Sequence, residues 1–473
     1  MCIKLVRDSK KPRYNDNKKQ PFTKEIETDV KISITNIGIN GEGIAYANKK
    51  TIFCPRTLPK EEVVVSIVKE EQKYKNAILK EVITPSPERV LPLCKHYDIC
   101  AGCSLMHAKY DYTLKIKNEI LRESLFKYVK NFNSSVIAPV VPSPLVYHYR
   151  NKANVPVRFI NGKSRFGLFN VGTNHFKTLD YCLVQDDVIN TLLSDILLKM
   201  DELKIPAVDI KGKNGFVANI IIRVAYYSRD TQVSFILAVP KDITPLVDYL
   251  SKKYPYIRSI SSVVNPKFDT PHVFNDTIKL LYGDKTITEK LGDYSYRLTP
   301  ESFFQLNTPQ ASKMYELVVS SYPFNGTEVV IDAYAGVAPI SFYLSKHVKQ
   351  VYAIELENSS INSAKKTILT NNIKNIRLIN KEFLAGFKEI FNMDFDVIVF
   401  DPPRTGLTES VVELVLKKKI PAIIYISCSP STLAKDIQLL QASYKIVKIT
   451  PLDMFPYTSH IESITVLKLK DNI

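Results

Sequence analysis

Hydrophobic and polar residues alternate along the first part of the chain, with the period of two that is typical of half-buried strands. The alternation covers Val30 to Ile37 and Glu62 to Ile83. Between them, the turn-rich segment Gly38 to Gly43 precedes a predicted hairpin over Gly43 to Phe53. Several short strands at this spacing indicate a small β-barrel, which we assign to residues 23–86.

From Leu298 onward, short apolar runs alternate with segments of helical period. The predicted strands are Glu328–Ala333, Gln350–Glu355, Ile376–Ile379, Phe395–Phe400, Ala422–Ile426 and Ser463–Leu467. The predicted helices are Thr308–Val319, a helix that runs through Lys346, Ser360–Asn371, Ser410–Leu416 and Ser431–Ala442. This order predicts a doubly wound α/β domain over residues 298–473, with a mostly parallel sheet and helices on both of its faces.

The remaining residues form two further predicted parts. Residues 87–297 contain a helical stretch from Tyr110 to about Tyr128, and then strands and helices that alternate without a glycine-rich fingerprint, so we predict a central α+β domain. Residues 1–22 are basic and poor in apolar side chains, which predicts a disordered tail that is either simply solvated or in contact with RNA.

Composition adds a class of partner to this picture. The 473 residues are 45% hydrophobic and 24% charged, as in ordinary globular proteins of two or three domains. The net charge of +16 and the isoelectric point near 9.2 indicate a polyanionic partner, most simply a nucleic acid. A lysine bias of the whole genome is the alternative explanation. The 26 Tyr and 22 Phe residues offer surfaces on which bases can stack.

The sequence shows neither a signal-peptide core near its start nor an apolar run of about 18 residues, so we expect no membrane segment. We therefore expect a cytoplasmic protein, and we expect it to be a monomer. In a reducing compartment, the seven cysteines indicate metal ligands or catalytic thiols before disulfides.

Three cysteines are clustered at the start of the predicted central domain. Five residues separate Cys94 from Cys100, and two separate Cys100 from Cys103. Three close cysteines with a distant fourth favour a [4Fe-4S] cluster over a zinc site, which normally has two short pairs, although a zinc site and no metal remain open. We predict Cys182 as the fourth ligand, with Cys54 and Cys2 as the alternatives.

A second pattern indicates an adenosine site. Asp332 lies one residue before the end of a predicted strand, Gly336 follows in the next turn, and Glu355 ends the next predicted strand. A glycine turn lets a cofactor approach the backbone, and an acid in that position can accept hydrogen bonds from both ribose hydroxyls. A single glycine cannot cradle a pyrophosphate, so the pattern favours S-adenosylmethionine over NAD. Alternatively, the glycine only ends a strand.

The strongest candidates for chemistry lie between Val399 and Glu462. Asp401 and Cys428 each follow a buried strand, and Glu462 precedes the last one. A thiolate and a base are what C5 methylation of uracil requires. The thiolate adds to carbon 6 so that carbon 5 becomes nucleophilic, and the base later removes the hydrogen on carbon 5. Alternatively, Cys428 is an inert, packed cysteine and Glu462 is a surface acid, and His460 is only a hydrogen-bonding neighbour.

Together these segments resemble the RNA uracil-C5 methyltransferases, particularly the iron-sulfur branch that acts on 23S rRNA. The resemblance covers nearly the whole chain after the tail, and its motifs occur in the order of the family. They are a TRAM-like Gly41–Tyr46 with Ile52–Glu61, the cysteine motif Cys94–Cys103, Tyr149–Lys152, Phe303–Asn307, Asp401–Gly406, Ser427–Pro430 and Ser459–Glu462. The implied fold is a Rossmann-like S-adenosylmethionine methyltransferase domain preceded by an OB-type TRAM barrel and an α+β iron-sulfur domain.

The resemblance also implies a role for each matching residue. Cys428 would be the nucleophile, Glu462 the proton acceptor and Asp401 a further catalytic residue, while Phe303 and Gln305 would contact the substrate. The implied contacts to S-adenosylmethionine come from Gln305, Tyr334, Gly336, Glu355, Glu382 and Asp401, and the implied cluster ligands are Cys94, Cys100, Cys103 and Cys182.

The implied substrate is an unpaired uridine of 23S rRNA, turned out of its stack so that carbon 6 is accessible. The T-loop uridine of tRNA is the alternative substrate.

Two departures from the family pattern stand out. Ala338 and Pro339 replace the usual Gly and Thr or Asn of the cofactor loop, and Ala101 replaces a Gly of the cysteine motif. Decay of the cofactor loop in a non-catalytic RNA-binding protein is the alternative from another class.

Overall fold

The computed structural model describes residues 29–169, 175–268, 273–274 and 278–471. The predicted basic tail and Cys2 lie outside these residues. The described chain forms two compact units, of which the first contains residues 29–36 and 42–86 and the second contains residues 37–41 and the described residues from 87 onward. None of the helices in these ranges is both long enough and apolar enough to cross a membrane.

The first unit is a β-sheet, as its alternating sequence predicts. Its region of the chain contains β1 (Asp29–Ser33), β2 (Asn36–Ile37), β3 (Gly43–Ala47), β4 (Lys50–Cys54), β5 (Glu62–Glu70) and β6 (Tyr74–Thr84). Neighbouring strands follow the order β1-β5-β6-β4-β3, and only the β4–β6 pair among these is parallel. Gly43 has to be glycine because a Cβ atom there would lie 2.0 Å from the Thr57 hydroxyl.

The middle of the second unit is a mixed sheet with helices packed on it. The elements are α1 (Tyr110–Tyr128), a short 3-10 helix (Ser134–Val136), β7 (Lys152–Ile160), β8 (Lys163–Phe169), β9 (Phe176–Leu179), α2 (Asp187–Glu202), β10 (Val217–Val224), β11 (Thr231–Leu237), α3 (Thr244–Lys253), β12 (Ile257–Val264) and β13 (Lys279–Gly283). The sheet has the order β13-β12-β11-β10-β7-β8-β9, in which only β11 and β12 pair in parallel.

The last part of the chain is the predicted α/β domain, introduced by a hairpin of β14 (Ile287–Leu291) and β15 (Tyr294–Leu298). The strands that follow are β16 (Val329–Ala333), β17 (Gln350–Glu355), β18 (Ile376–Asn380), β19 (Val397–Phe400), β20 (Ala422–Ser427), β21 (Tyr444–Leu452) and β22 (Glu462–Leu469). The helices are α4 (Thr308–Ser320), α5 (Pro339–Ser345), α6 (Asn358–Thr370), α7 (Phe383–Glu389), α8 (Glu409–Lys418) and α9 (Pro430–Leu440).

The topology of this sheet determines where a ligand can bind. The strand order is β18-β17-β16-β19-β20-β22-β21, with parallel pairs from β18 to β20 and an antiparallel β22 beside β20. The order reverses between β16 and β19, and the crevice at the carboxyl ends of the strands around such a point is where open α/β sheets bind ligands. Helices cover both faces of the sheet, and a buried apolar cluster lies between the sheet and the helices on each face.

Candidate active site and cysteine cluster

The three candidate catalytic residues lie on neighbouring strands at this crevice. Asp401 directly follows β19, and its N–H donates to the Ala333 carbonyl at the end of β16. Cys428 directly follows β20. Because Ser427 pairs with Ser463 in the antiparallel register of β20 and β22, Glu462 begins β22 beside the position of Cys428. The structure therefore brings a thiol and two carboxyl groups to one edge of the sheet.

The electrostatics confirm that these groups are close enough to influence each other. Burial raises the pKa of Cys428 to about 11, with a further increase from Glu462 and an opposing effect of the Arg404 guanidinium. Burial raises the pKa of Glu462 to about 8, Asp401 adds to this increase, and Arg404 and Lys117 oppose it. Burial alone raises the pKa of Asp401 to about 7. The free protein thus holds a protonated thiol beside a carboxyl group that titrates near neutral pH.

The predicted cofactor residues converge on the same crevice from β16, β17 and β18. Glu355 is the last residue of β17, and its Oε2 accepts a hydrogen bond of 2.8 Å from the Gly336 N–H. Tyr334 follows β16 and stacks on Phe383, with 5.3 Å between the ring centroids. Glu382 is exposed and caps the first turn of α7. Gly336 has a positive φ of 58°, and the space where a Cβ would be is open.

The loop that departs from the family pattern has a simple geometry. Ala338 adopts the left-handed conformation with φ of 63°, although it is not glycine, and Pro339 is the first residue of α5. Proline lacks an N–H, but at the first position of a helix that group has no partner in the helix anyway. Ser341 donates two hydrogen bonds to Asp332 Oδ2, at 3.0 and 2.6 Å. The loop is therefore an ordered helix start.

Asp332 was not assigned a role from the sequence. Its other oxygen, Oδ1, is buried and has no hydrogen-bond partner in the described structure, and burial raises the pKa of this carboxyl to about 7. A buried acceptor that lacks a protein partner is costly unless a ligand or solvent satisfies it.

Phe303 and Gln305 lie in the loop between β15 and α4. The Phe303 side chain is 72% exposed, so it is free to contact a substrate. The Gln305 side chain hydrogen-bonds the buried Tyr315 hydroxyl, whose pKa is raised by burial and by the nearby Asp401. Gln305 is thereby placed on the side of the crevice where Asp401 lies.

The segment Tyr149–Lys152 holds this loop and the loop before β22. The polar side-chain ends of Tyr149, Asn151 and Lys152 have protein partners. The contacts are Tyr149 Oη to the Pro456 carbonyl at 3.2 Å, Asn151 Nδ2 to the Gln305 carbonyl at 3.0 Å and to Thr308 Oγ1 at 2.9 Å, and Lys152 Nζ to the Pro300 carbonyl at 3.1 Å.

The four predicted ligand cysteines line one cavity of about 360 Å³, which Arg404 and His460 also border. Burial raises the pKa of Cys103, and the other three thiols raise it further, so the four are close in space. Backbone N–H groups of residues 184 and 185 hydrogen-bond the Cys182 thiol, and the N–H of residue 102 donates to Cys100 Sγ at 3.4 Å.

Two of the three candidates for the fourth cysteine, Cys54 and Cys182, lie among the described residues. Cys54 is completely buried in the core of the first unit and does not line the cavity, whereas Cys182 does. Among the described side chains, no group of three or more His, Cys, Asp and Glu residues is arranged to hold a single metal ion.

Two further residues of the site were not assigned a role from the sequence. Lys117 on α1 is completely buried and forms an ion pair with Asp453, in the loop that leads to Glu462. Arg404 is the cation that lowers the pKa of both Cys428 and Glu462. Arg404 adjoins the Asp-Pro-Pro motif, so its place in the site was predictable. A buried lysine within a helix, such as Lys117, cannot be distinguished from a solvated one by sequence.

Comparison with known proteins gives a consistent result. Residues 109–470 match the family model described as tRNA (uracil-5-)-methyltransferase. An uncharacterized RNA methyltransferase of Halalkalibacterium halodurans is 34% identical over 448 residues, which cover 92% of this chain and 95% of the relative. Another, from Listeria monocytogenes, is 32% identical over 453 residues and covers 93% and 97%.

A solved structure is similar over nearly the whole chain. It is the tRNA (uracil-54, C5)-methyltransferase of Pyrococcus abyssi in complex with S-adenosyl-L-homocysteine. The TM-score is 0.74 at 26% identity, and the match covers 93% of this chain and all of that one.

Proposed function

The chain belongs to the tRNA (uracil-5-)-methyltransferase family and is an S-adenosylmethionine-dependent RNA (uracil-C5) methyltransferase, and from that premise we propose that it modifies a uridine of 23S rRNA through a covalent adduct of Cys428. The observation that carries the proposal is the pairing of β20 with β22, which sets Glu462 beside Cys428. Membership in an enzyme family sets aside the non-catalytic alternative.

The reaction we propose begins when the Cys428 thiol loses its proton and the sulfur bonds to carbon 6 of the uracil, which moves the ring's electron pair toward carbon 5 and oxygen 4. S-adenosylmethionine supplies the electrophilic methyl group that carbon 5 then attacks. Glu462 accepts the proton from carbon 5, the 5,6 double bond re-forms, and the sulfur leaves as the thiolate. Asp401, with its pKa near neutral, hydrogen-bonds the base in its protonated form.

The Arg404 guanidinium prepares the first step. Because the pKa of Cys428 is about 11 in the free protein, only a small fraction of the thiol is ionised at neutral pH. Arg404 opposes the increase and stabilises the thiolate once the uracil has excluded water from the crevice. The thiol proton leaves to solvent, so that Glu462 on the paired strand is still a carboxylate when carbon 5 releases its proton.

We propose that the cofactor is held by Gln305, Tyr334, Gly336, Glu355, Glu382 and Asp401. The crevice fits an adenosine ligand, because Glu355 lies at the end of β17 with the open space of Gly336 next to it. Glu355 orients the Gly336 backbone and can accept hydrogen bonds from ribose hydroxyls. Phe303, exposed at the mouth, is proposed to contact the flipped base, and Gln305 to orient it.

For the cysteines we propose a [4Fe-4S] cluster held by Cys94, Cys100, Cys103 and Cys182. The donor set fits, because the four thiols share one cavity and two of them, Cys100 and Cys182, accept backbone N–H bonds, as is typical of such clusters. When bound, the cluster ties the segment around residues 94–103 to the loop at residue 182.

Iron analysis after anaerobic purification tests the cluster. We expect a brown protein with about four irons per chain, and we expect Cys182→Ala to lose most of its iron. Cys54→Ala is the matched control and should keep its iron, because Cys54 does not line the cavity. A colourless protein with stoichiometric zinc would overturn the assignment.

We further propose that the first unit is a TRAM domain that binds RNA, within the division 1–22, 23–86, 87–297 and 298–473. Support comes from its mostly antiparallel sheet, from Tyr46 on β3, which is 65% exposed, and from the exposed Lys49 in the turn that follows. An exposed tyrosine next to a lysine offers both stacking and phosphate contact. Tyr46→Ala should weaken RNA binding, and Lys49→Ala should lower its dependence on salt.

The T-loop uridine of tRNA is the second candidate substrate, and the match to the Pyrococcus abyssi tRNA (uracil-54, C5)-methyltransferase favours it. Mass-spectrometric mapping of 5-methyluridine in rRNA and tRNA, from cells with and without the gene, distinguishes the two. Loss of the modification from 23S rRNA alone is expected, and loss from tRNA alone would replace the rRNA proposal by the tRNA one.

Two variants test the covalent step. Cys428→Ala should bind RNA and lose methylation, and turnover near the wild-type rate would remove Cys428 from the mechanism. Glu462→Gln should accumulate a protein–RNA adduct on a denaturing gel, because the methylated intermediate keeps its proton on carbon 5. Normal product formation without an adduct would show that Glu462 is not the base.

A further inference from the structure

Lys117 is a charged side chain in the interior of the protein. It lies on α1, its side chain is completely buried, and it is among the largest side chains that are so. A buried ammonium group is tolerated only when partners satisfy it. Lys117 has two such partners, the Asp453 carboxylate, with which it forms an ion pair, and the Phe455 carbonyl at 3.0 Å.

Both partners belong to the nine-residue connection between β21 and β22. Asp453 directly follows β21, and Glu462 is the first residue of β22. The second oxygen of Asp453 accepts a hydrogen bond of 2.9 Å from the Tyr110 hydroxyl, which also lies on α1. Near its end, the connection is held by Ser104, whose hydroxyl accepts a hydrogen bond of 3.1 Å from the Ser459 N–H. The connection is thus fixed at its start by α1 and near its end by residue 104.

The charge of Lys117 also reaches Glu462. The charged and titratable groups that face this carboxyl come from three elements besides its own strand. They are Asp401 and Arg404 after β19, Cys428 after β20 and Lys117 on α1. Lys117 and Arg404 lower the pKa of Glu462, against the increase that burial and Asp401 produce. Of these two cations, Arg404 is exposed to solvent and Lys117 is not, so the contribution of Lys117 is the less screened one.

We propose that Lys117 is a positioning residue for methyl transfer: through its ion pair with Asp453 and its hydrogen bond to the Phe455 carbonyl, it fixes the connection that presents Glu462. Glu462 can accept the proton from carbon 5 only as the carboxylate, so its ionised fraction limits the last step of the reaction. This inference rests on the proposed function of Glu462 and Cys428.

The test is the pH dependence of methyl transfer from S-adenosylmethionine to total RNA from cells that lack the gene. In Lys117→Met the pKa of Glu462 should rise, so the acidic limb of the pH–rate profile should move to higher pH by ~0.5–1 unit. The rate at neutral pH should fall by about 3- to 10-fold. The variant should also accumulate more protein–RNA adduct at neutral pH, and raising the pH should clear it. Lys117→Arg should restore much of the wild-type profile.

Two further variants keep the proposal falsifiable if Lys117→Met does not fold. Asp453→Asn removes the counter-ion and leaves the lysine uncharged in the interior, so the limb should move in the same direction. Tyr110→Phe removes the hydrogen bond to Asp453 and the one from the Ser143 N–H but no charge, and it should leave the limb where it is. Profiles of Lys117→Met and Asp453→Asn that superimpose on the wild type would overturn the proposal, whatever happens to their stability.

Cys428→Ala, measured alongside, separates this proposal from the function on which it rests. An active Cys428→Ala variant refutes the adduct mechanism itself. An inactive Cys428→Ala variant, together with an unchanged limb in Lys117→Met, refutes only the role of Lys117.

Discussion

The left-handed backbone of Ala338 should make its replacement by glycine far less costly than an equivalent replacement elsewhere in the same core. Ala338 has φ of 63° and a completely buried side chain. A left-handed conformation costs a residue with a Cβ about 1–2 kcal/mol, and glycine does not incur this cost. The comparison is Ala364, which is also completely buried, belongs to the same apolar cluster and lies within α6.

The expected magnitudes follow from three terms. Each change to glycine removes one buried methyl group, worth ~0.8 kcal/mol, and frees the backbone of the unfolded chain, which costs about 0.5–1 kcal/mol. Ala364→Gly should therefore lower the free energy of unfolding by roughly 1.3–1.8 kcal/mol. In Ala338→Gly the relief of the left-handed backbone offsets most of that loss, so its free energy of unfolding should lie within about 0.8 kcal/mol of the wild-type value.

Urea unfolding, followed by far-ultraviolet circular dichroism, measures both changes in the same protein. The decisive quantity is the difference between the two variants, because the methyl and chain-entropy terms cancel in it. We expect Ala338→Gly to be more stable than Ala364→Gly by about 1–2 kcal/mol. Equal destabilisation of the two variants would show that the cofactor loop stores no backbone strain.

Two other predictions concern the catalytic loops. Asn151→Ala should lower the free energy of unfolding by about 1–3 kcal/mol and reduce kcat/KM, since the Gln305 carbonyl loses its amide donor; a variant with wild-type stability and kinetics would show that this contact does not position the loop. Because the pKa of Cys428 is raised to about 11, its alkylation by iodoacetamide in the free protein should accelerate about tenfold per pH unit from neutral pH toward that value. A plateau of the alkylation rate below pH 9 would contradict a raised pKa.

The strands of the α/β domain were predictable because strands buried on both faces appear as continuous apolar runs. The two elements that escaped prediction have physical reasons to do so. β21 lies at the edge of the sheet and carries Lys445 and Lys448, both exposed, so its apolar run is interrupted. α7 spans only two turns, from Phe383 to Glu389, which is too short for a helical period to be recognised.

The residues of the candidate site were predictable where they lie at the ends of strands. Asp401, Cys428 and Glu462 each adjoin a buried strand, and the sheet topology brings such positions together. The contacts that hold them in place were not predictable. Lys117 and Asp453 are 336 residues apart in the chain, and a pair at that distance leaves no local pattern in either segment.

The same long-range contacts make the candidate active site depend on residues outside the α/β domain. Cys428 and Glu462, the proposed nucleophile and base, belong to the α/β domain, but the loops beside them are held from outside it. Lys117 and Tyr149 bind the connection before Glu462, and Asn151 binds the loop that carries Gln305. Residues 298–473 alone would keep the strands and lose these anchors. The preceding part of the second unit therefore contributes to the arrangement of the candidate active site.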